Sequence, residues 1–365
     1  MDIIKISNAD GKVWLLPQKD LKNALCLYQP SSMKGKALKL FLPYLQKFSF
    51  FRTPVYKVLK ISECDYCIPE AVKKTIPKMG LEANRVTYAA FLGTPTSVHQ
   101  KITIQLSDSG RIRGYCKLSN SSVVGEVFLH EKGVLQYLEE NNIRNVPKCY
   151  YADNIEGTYL FAQSTIKTKN SKVVHRFTKQ HEEFLYELAT KTRVSSSFED
   201  TDFYRDMNWL EERIGELEAV GLVVEGLRKA IERTKIFSEN ENSFCMSHGD
   251  LTPWNTFSEK DKLFVFDWEY AKYTYPLFID YFHFFTQSAV FEKRMCAKEI
   301  YQMHRSQILR KKCPRFLFEP DEQYLQYLIS SISNYCRRDE FIFSDDNKDL
   351  VSVWLELIDL ILNIE

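Results

Sequence analysis

Apolar residues recur every second position in one part of this chain and at the helical period in another, and the two parts scarcely overlap. Arg85 to Leu92 is apolar and β-branched, while Lys101 to Leu106 (KITIQL) and Arg111 to Leu118 (RIRGYCKL) alternate. A period of two belongs to strands with one buried face. Gly93-Thr94-Pro95-Thr96-Ser97 and Ser107-Asp108-Ser109-Gly110 separate the runs with turn-forming residues. This spacing predicts three consecutive antiparallel strands. Glu126 to Glu140 then follows a helical period through Val127, Leu129, Val134, Leu135 and Leu138, and stops at Asn141-Asn142. Val146-Pro147-Lys148 and Thr158 to Gln163 predict two further short strands. Beyond Lys172 the helical period dominates: Thr178 to Lys191, Asp206 to Ser238, Ala297 to Leu309, Glu322 to Arg337 and Leu350 to Asn363. Strands with one helix, followed by a run of helices, is the order of an α+β protein.

The length of 365 residues suits two or three units at about 150 residues each. The expected division is an N-terminal extension (1–84) packing on a small sheet lobe (85–165), then a larger helical lobe (166–365). The extension itself is mixed: a short strand or two near Lys12 to Pro17, and a Lys-rich amphipathic stretch from Met33 to Phe51. With 49 basic and 48 acidic residues the net charge is +1, which argues against nucleic acid as a partner. A hydrophobic share of 44% excludes a disordered chain. The start, MDIIKISNADGKVW, shows neither the apolar core nor the small-residue cleavage site of a secretory signal, so none is expected. The most apolar stretches, Leu277 to Phe285 and Val351 to Ile364, carry Asp280 or Glu356 and Asp359, so no membrane span is expected. Nine cysteines without framework spacing fit reduced thiols and a cytoplasmic setting. Cys64 and Cys67 form a single C-x-x-C with no second pair, and read as bystander thiols. Oligomeric state is not legible.

The densest polar constellation lies between Phe244 and Asp267, in SHGDLTPWNTF followed by LFVFDWEYA. Asp250 sits in a polar loop between apolar segments, Asn255 follows five residues later, and Asp267 ends the apolar run Leu263 to Phe266. A chain returning as a hairpin would bring Asn255 and Asp267 close. One amide oxygen and one carboxylate suit Mg²⁺, a hard cation that takes few protein ligands and keeps waters. Asp250, outside that pair, is placed to accept a proton from an attacking hydroxyl. This division of labour is that of phosphoryl transfer. Taken singly, Asp and Asn here are turn formers and caps, and Lys117 and Glu131 are solvated charges; their conjunction is what carries the functional reading.

H-G-D-x-x-x-x-N followed by D-W-E-Y-A resembles the aminoglycoside phosphotransferase and choline kinase family, whose fold is protein-kinase-like. The resemblance covers roughly Arg85 to Phe285. It implies two lobes, with Asp250 as catalytic base, His248 steadying the loop, and Asn255 and Asp267 holding Mg²⁺. It further implies a strand-borne lysine over the ATP phosphates, matched by Lys117, and a helical glutamate, matched by Glu131 with Glu126 as rival. Gly93, Thr94 and Ser97 would line the phosphates, although the loop has one glycine and no G-x-G-x-x-G. Tyr159 to Ser164, with Gln163 and Ser164, would form the hinge that receives adenine. The form HGDLTPWN with Asp280-Tyr281-Phe282-His283-Phe284 is similar to phosphotransferase-like proteins of bacterial surface-polysaccharide gene clusters. The implied activity is an ATP-dependent small-molecule kinase acting on a hydroxyl, with a sugar or surface-glycan precursor favoured. Choline, another amino alcohol or an aminoglycoside are rival acceptors, and a non-catalytic nucleotide binder is the alternative of another class.

Overall fold

The structure, a computed structural model, describes residues 3–8, 11–30, 33–45, 56, 61–93, 100–239, 241–309, 314 and 317–363. It divides into two compact units: Met1–Glu140, Arg144–Lys172 and Phe257–Glu269 in the first, Asn141–Ile143, Val173–Thr256 and Tyr270–Glu365 in the second. No described helix is long and apolar enough to cross a membrane.

The first unit is built on one antiparallel sheet. Its strands are β1 (Ile3–Ser7), β2 (Val13–Pro17), β3 (Ser62–Cys64), β4 (Val86–Phe91), β5 (Ile102–Asp108), β6 (Arg111–Ser119), β7 (Cys149–Ile155) and β8 (Thr158–Ser164). They lie in the order β3-β1-β2-β4-β5-β6-β8-β7. The expected three-strand run is present as β4 to β6, in register from Val86↔Asp108 to Phe91↔Thr103 and from Ile102↔Leu118 to Asp108↔Arg111. Ser109 and Gly110 close β5 onto β6 with φ of 52° and 73°, the left-handed pair that a two-residue hairpin matching strand twist requires. Alternation then puts Ile104, Leu106, Cys116, Leu118, Leu160 and Ala162 on one buried face, packed with Val72, Ile76 and Met79.

Three expectations change here. Residues 1–84 extend the sheet as well as packing on it: Trp14↔Phe91 and Leu15↔Ala90 join β2 to β4, and β1 and β3 follow. Their apolar residues, among them Ile4, Ile6, Trp14, Leu16, Leu25 and Leu38, form a second core. Within 85–165 the one expected helix is Ser122–Glu140, and 1–84 contributes Met33–Leu45, in the expected amphipathic stretch, and Glu70–Thr75; residues 46–51 of that stretch lie outside the described ones. The strand expected at Val146–Lys148 begins instead at Cys149, after Pro147, which has no N–H to give a ladder. Finally, 257–269 belongs with the sheet rather than the helices. Its hairpin, β11 (Thr256–Glu259) and β12 (Lys262–Val265), hydrogen-bonds to 144–172: Val265 N–H to Asn145 O at 3.0 Å, and Lys172 with Ser258 in both directions.

The second unit is mainly helical, as the period predicts. Lys179–Lys191, Asp202–Glu212, Ile214–Ala219, Glu225–Ser238, Ile279–Gln287, Ala297–Leu309, Pro320–Asp339 and Asp345–Leu362 surround a small sheet of β9 (Val194–Ser195), β10 (Ser243–Ser247) and β13 (Lys272–Pro276). The single stretch expected at Asp206 to Ser238 is three helices, the last two separated by Gly221 at φ 84°. Helix Pro320–Asp339 is buried along most of its length. It contacts Asp202–Glu212, Glu225–Ser238, Ile279–Gln287 and Asp345–Leu362. At its N-terminus Asp321 meets His304 Nε2 at 2.8 Å and Arg305 Nη1 at 2.9 Å.

Two predictions follow from this packing. A Cβ on Gly114 would lie 2.3 Å from the Gln163 carbonyl oxygen of the neighbouring strand, where only backbone movement gives relief. Gly114→Ala should therefore destabilise the protein by about 1–3 kcal/mol, read as a lower thermal midpoint; an unchanged midpoint would contradict the strand spacing. Asp321 is held below the ordinary carboxylate range by its hydrogen bond from His304, with the charges of His304, Arg305 and Arg233 adding and burial opposing. A lowered folded value means that its stabilisation is present above the unfolded value, about 3.9, and is lost as pH falls through the folded one. The thermal midpoint of Asp321→Asn should trail wild type at neutral pH, and the gap should close below about pH 4.

Candidate active site

In the first unit the interior strand β6 carries Lys117 on the face opposite Cys116 and Leu118. Its Nζ donates to Glu131 Oε2 at 2.8 Å and to Asp267 Oδ1 at 2.6 Å. Lys117 is buried and Glu131 fully so. Glu126, the rival, is an exposed residue of the same helix, so the structure settles the pairing on Glu131. The other Glu131 oxygen accepts the Trp268 backbone N–H at 3.3 Å, which ties the helix to the segment that carries Asp267. Asp267 follows β12 with φ 70°, a left-handed conformation that costs a non-glycine residue about 1–2 kcal/mol. Such strain is retained where the surrounding structure dictates it.

Two further charges sit here that sequence reasoning left without a role. Glu269 forms a close ion pair with Lys101, just before β5. Glu131, Asp267 and Glu269 each offer one oxygen within 4.8 Å of one another. Burial disfavours the Lys117 ammonium, but Asp267, Glu131 and Glu269 outweigh it and hold its pKa above the ordinary lysine value. Burial also raises the Glu131 carboxyl, with Lys117 pulling the other way. Two lysines against three carboxylates leave an anionic, oxygen-rich set, the donor chemistry of Mg²⁺ rather than of softer metals.

The nucleotide-side residues are placed less completely. Gly93 has φ 67°, and a Cβ there would meet the Lys101 carbonyl at 3.1 Å; Thr94 and Ser97 lie outside the described residues. Gln163 and Ser164 fall inside β8, between β6 and β7, so much of their backbone belongs to the ladder. Ser164 N–H donates to Lys148 O at 2.8 Å and its hydroxyl accepts Lys148 N–H at 2.8 Å. The Gln163 side-chain oxygen is buried with no hydrogen-bond partner among the described residues. The segment lies in β8, in the place where a strand is expected, with neighbours on both sides.

In the second unit β10 delivers Ser247 into the loop His248–Asn255. Asp280, on helix Ile279–Gln287, accepts the backbone N–H groups of His248 at 2.8 Å and Gly249 at 3.0 Å. Its carboxyl is raised by burial against the opposing pull of His248 and those N–H groups. Gly249 has φ 76°, and a Cβ there would stand 2.2 Å from the Tyr270 carbonyl oxygen, so only glycine fits. His248 is fully buried and its Nδ1 accepts the Asp250 N–H at 3.2 Å, the posture of a residue that steadies the loop. Asn255 Nδ2 donates to the Asp250 backbone oxygen at 3.0 Å and to Asp250 Oδ2 at 2.7 Å. Using the amide nitrogen in this way leaves the amide oxygen as the metal-compatible end of Asn255. Asp250 Oδ1 lies 3.0 Å from His283 Nε2, a partner that the sequence motif did not announce. Its spacing of three from Asp280 on a helix was the available signal.

No family model matches the sequence, and no curated protein matches it. Solved structures do match the fold. LicA in complex with AMP superposes with a TM-score of 0.52 at 12% identity, over 81% of this chain and 100% of that one. A protein described as a fructosamine-3-kinase from Haemophilus somnus 129PT gives 0.50 at 15% identity, over 80% and 96%. A thermostable mutant of the aminoglycoside phosphotransferase APH(4)-Ia, as a ternary complex with ADP and hygromycin B, gives 0.50 at 9% identity, over 79% and 97%. The chain therefore has the α+β, protein-kinase-like fold of the aminoglycoside phosphotransferases.

Breaking a buried ion pair leaves its partner uncompensated, at a cost of about 3–5 kcal/mol. Lys117→Met should lose that much in urea unfolding, and adding Glu131→Gln should restore part of it. A loss below about 1 kcal/mol would mean that the pair is solvated.

Proposed function

We propose that this chain is an ATP-dependent phosphotransferase that moves the γ-phosphoryl group to a hydroxyl of a small molecule. The observation that carries this reading is the buried Lys117–Glu131 pair, set on strand and helix of a kinase-like sheet unit with Asp267 on the same ammonium. Asp250 is the base. Its carboxylate takes the proton of the acceptor hydroxyl while that oxygen forms its bond to the γ-phosphorus and the bridging bond to ADP breaks. The products are a phosphate ester and ADP, and the proton leaves Asp250 to solvent. Lys117 neutralises phosphate charge, and Glu131 keeps it on station. Asn255 and Asp267 are the proposed Mg²⁺ ligands; bound there, the cation would neutralise charge on the phosphates. His248 keeps the loop in shape, while Gly93, Thr94 and Ser97 are assigned to the phosphates and Gln163 and Ser164 to the adenine side.

The acceptor we favour is a sugar or surface-glycan precursor, with choline or another amino alcohol next and an aminoglycoside third. Trp254, in the Asp250 loop, is 38% exposed and stands edge-on to Phe291 at 5.9 Å, an apolar wall that suits a sugar ring or an alkylammonium group. The eight described cysteines are free thiols, which supports a cytoplasmic setting.

Thermal unfolding with and without MgATP tests the nucleotide site. Ligand at 100-fold over Kd adds about 2.7 kcal/mol, so wild type should melt higher with MgATP and Asp267→Asn should gain less. Equal shifts in both would remove Asp267 from the metal. Asp250→Ala should retain the MgATP shift and lose ATP turnover; unchanged turnover would overturn the mechanism.

A further inference from the structure

Helix Ile279–Gln287 turns two polar side chains onto one loop. Asp280 holds the backbone N–H groups of His248 and Gly249. His283, three residues later and so on the same helical face, places Nε2 at 3.0 Å from Asp250 Oδ1. The other carboxylate oxygen is taken by Asn255 Nδ2 at 2.7 Å. An ionised carboxylate can only accept, so His283 Nε2 is the donor.

The ring that donates is itself held. All the residues of the helix other than His283 are buried. The His283 side chain is 12% exposed, and its ring stands at 89° to that of Tyr327 on helix Pro320–Asp339, 5.7 Å between centroids. Burial raises the Tyr327 hydroxyl far above the ordinary tyrosine value, so this neighbour is a neutral wall.

We infer that His283 is the positioning residue of Asp250. The inference rests on the phosphotransferase reading of Asp250 as base. A carboxylate held at one oxygen can still turn about its Cβ–Cγ bond; donors on both oxygens remove that freedom. Two donors occupy two of roughly four lone-pair sites, and those that remain face fixed directions. An acceptor hydroxyl then meets a base already aligned, which is where most of the benefit of an oriented proton acceptor arises. His283 does not touch the hydroxyl in this account; it acts through Asp250. It also acts separately from Asp280, which sets the backbone of the loop while His283 sets the side chain.

The test measures ADP release from MgATP with water as the acceptor, in wild type, Asp250→Asn, His283→Ala and His283→Gln, with thermal midpoints beside the rates. Glutamine can bring an amide N–H close to the position of Nε2. Asp250→Asn should lower kcat by about 100-fold or more. His283→Ala should lower kcat by about tenfold or more, with KM for MgATP within about twofold of wild type. His283→Gln should recover most of that loss. A wild-type rate in His283→Ala beside an inactive Asp250→Asn would overturn the positioning role and leave the base intact. A His283→Gln rate no better than His283→Ala would also overturn it, since the donor would then not matter. Full activity in Asp250→Asn would instead overturn the phosphotransferase reading, and the inference with it.

Discussion

An ammonium buried on the interior sheet strand β6 is the constraint around which the first unit is arranged. Lys117 has left water, and in such a place a charge survives only if opposite charges meet it at hydrogen-bond distance. Glu131 and Asp267 do so at 2.8 and 2.6 Å. That requirement propagates outward. The helix Ser122–Glu140 must present Glu131 inward rather than Glu126. The segment after β12 must carry Asp267 to the ammonium, even with a backbone at φ 70°. The hairpin β11–β12 must stay bonded to 144–172, which it does through Asn145 and Lys172. Each of these is a contact between residues far apart in sequence, and each is needed before the lysine can be buried.

The second unit meets a similar problem with a carboxylate in place of the ammonium. Asp280 is buried, and it is matched by backbone N–H groups rather than by a cation. Using the backbone has a geometric consequence: the loop must bring two successive N–H groups to one point, which glycine at position 249 permits. The result is a loop whose path is fixed from behind, with Asp250 and Asn255 bonded to each other in front. In both units a buried charge costs stability unless it is satisfied, whether by side chains, as at Lys117, or by backbone N–H groups, as at Asp280.

Much of this was legible in the residues. The apolar, β-branched run announced β4, and the alternating runs announced β5 and β6, because both patterns are those of strands bounded by turn residues. The helices Ala297–Leu309 and Lys179–Lys191 were legible for the corresponding reason. The H-G-D-x-x-x-x-N spacing flagged Asp250 and Asn255 because a short loop brings residues five apart within bonding reach. Legibility failed where contacts are long-range or chemistry is shared. The strands β1 and β3, five and three residues long, carry too little pattern to be read, whereas the strand expected near Lys12 to Pro17 is β2. The segment Thr158 to Gln163 was legible as a strand, and β8 spans it, but nothing local shows that this strand lies between two neighbours. Lys101 and Glu269 are 168 residues apart, and no local pattern joins them.

The amino-acid order by itself determined the fold class, the division into strand-rich and helix-rich parts, and the identity of the residue types able to handle phosphate, metal and a proton. These depend on periodicity and on short spacings, which are properties of a chain read a few residues at a time. Only the tertiary structure decided that Glu131 rather than Glu126 meets Lys117, that residues 1–84 complete the sheet, that 257–269 belongs to the sheet unit, and that His283 reaches Asp250. Each of those is the choice of one partner among chemically equivalent candidates. Such a choice is made by packing, because only a closed core determines which charges lose their water and must therefore find each other.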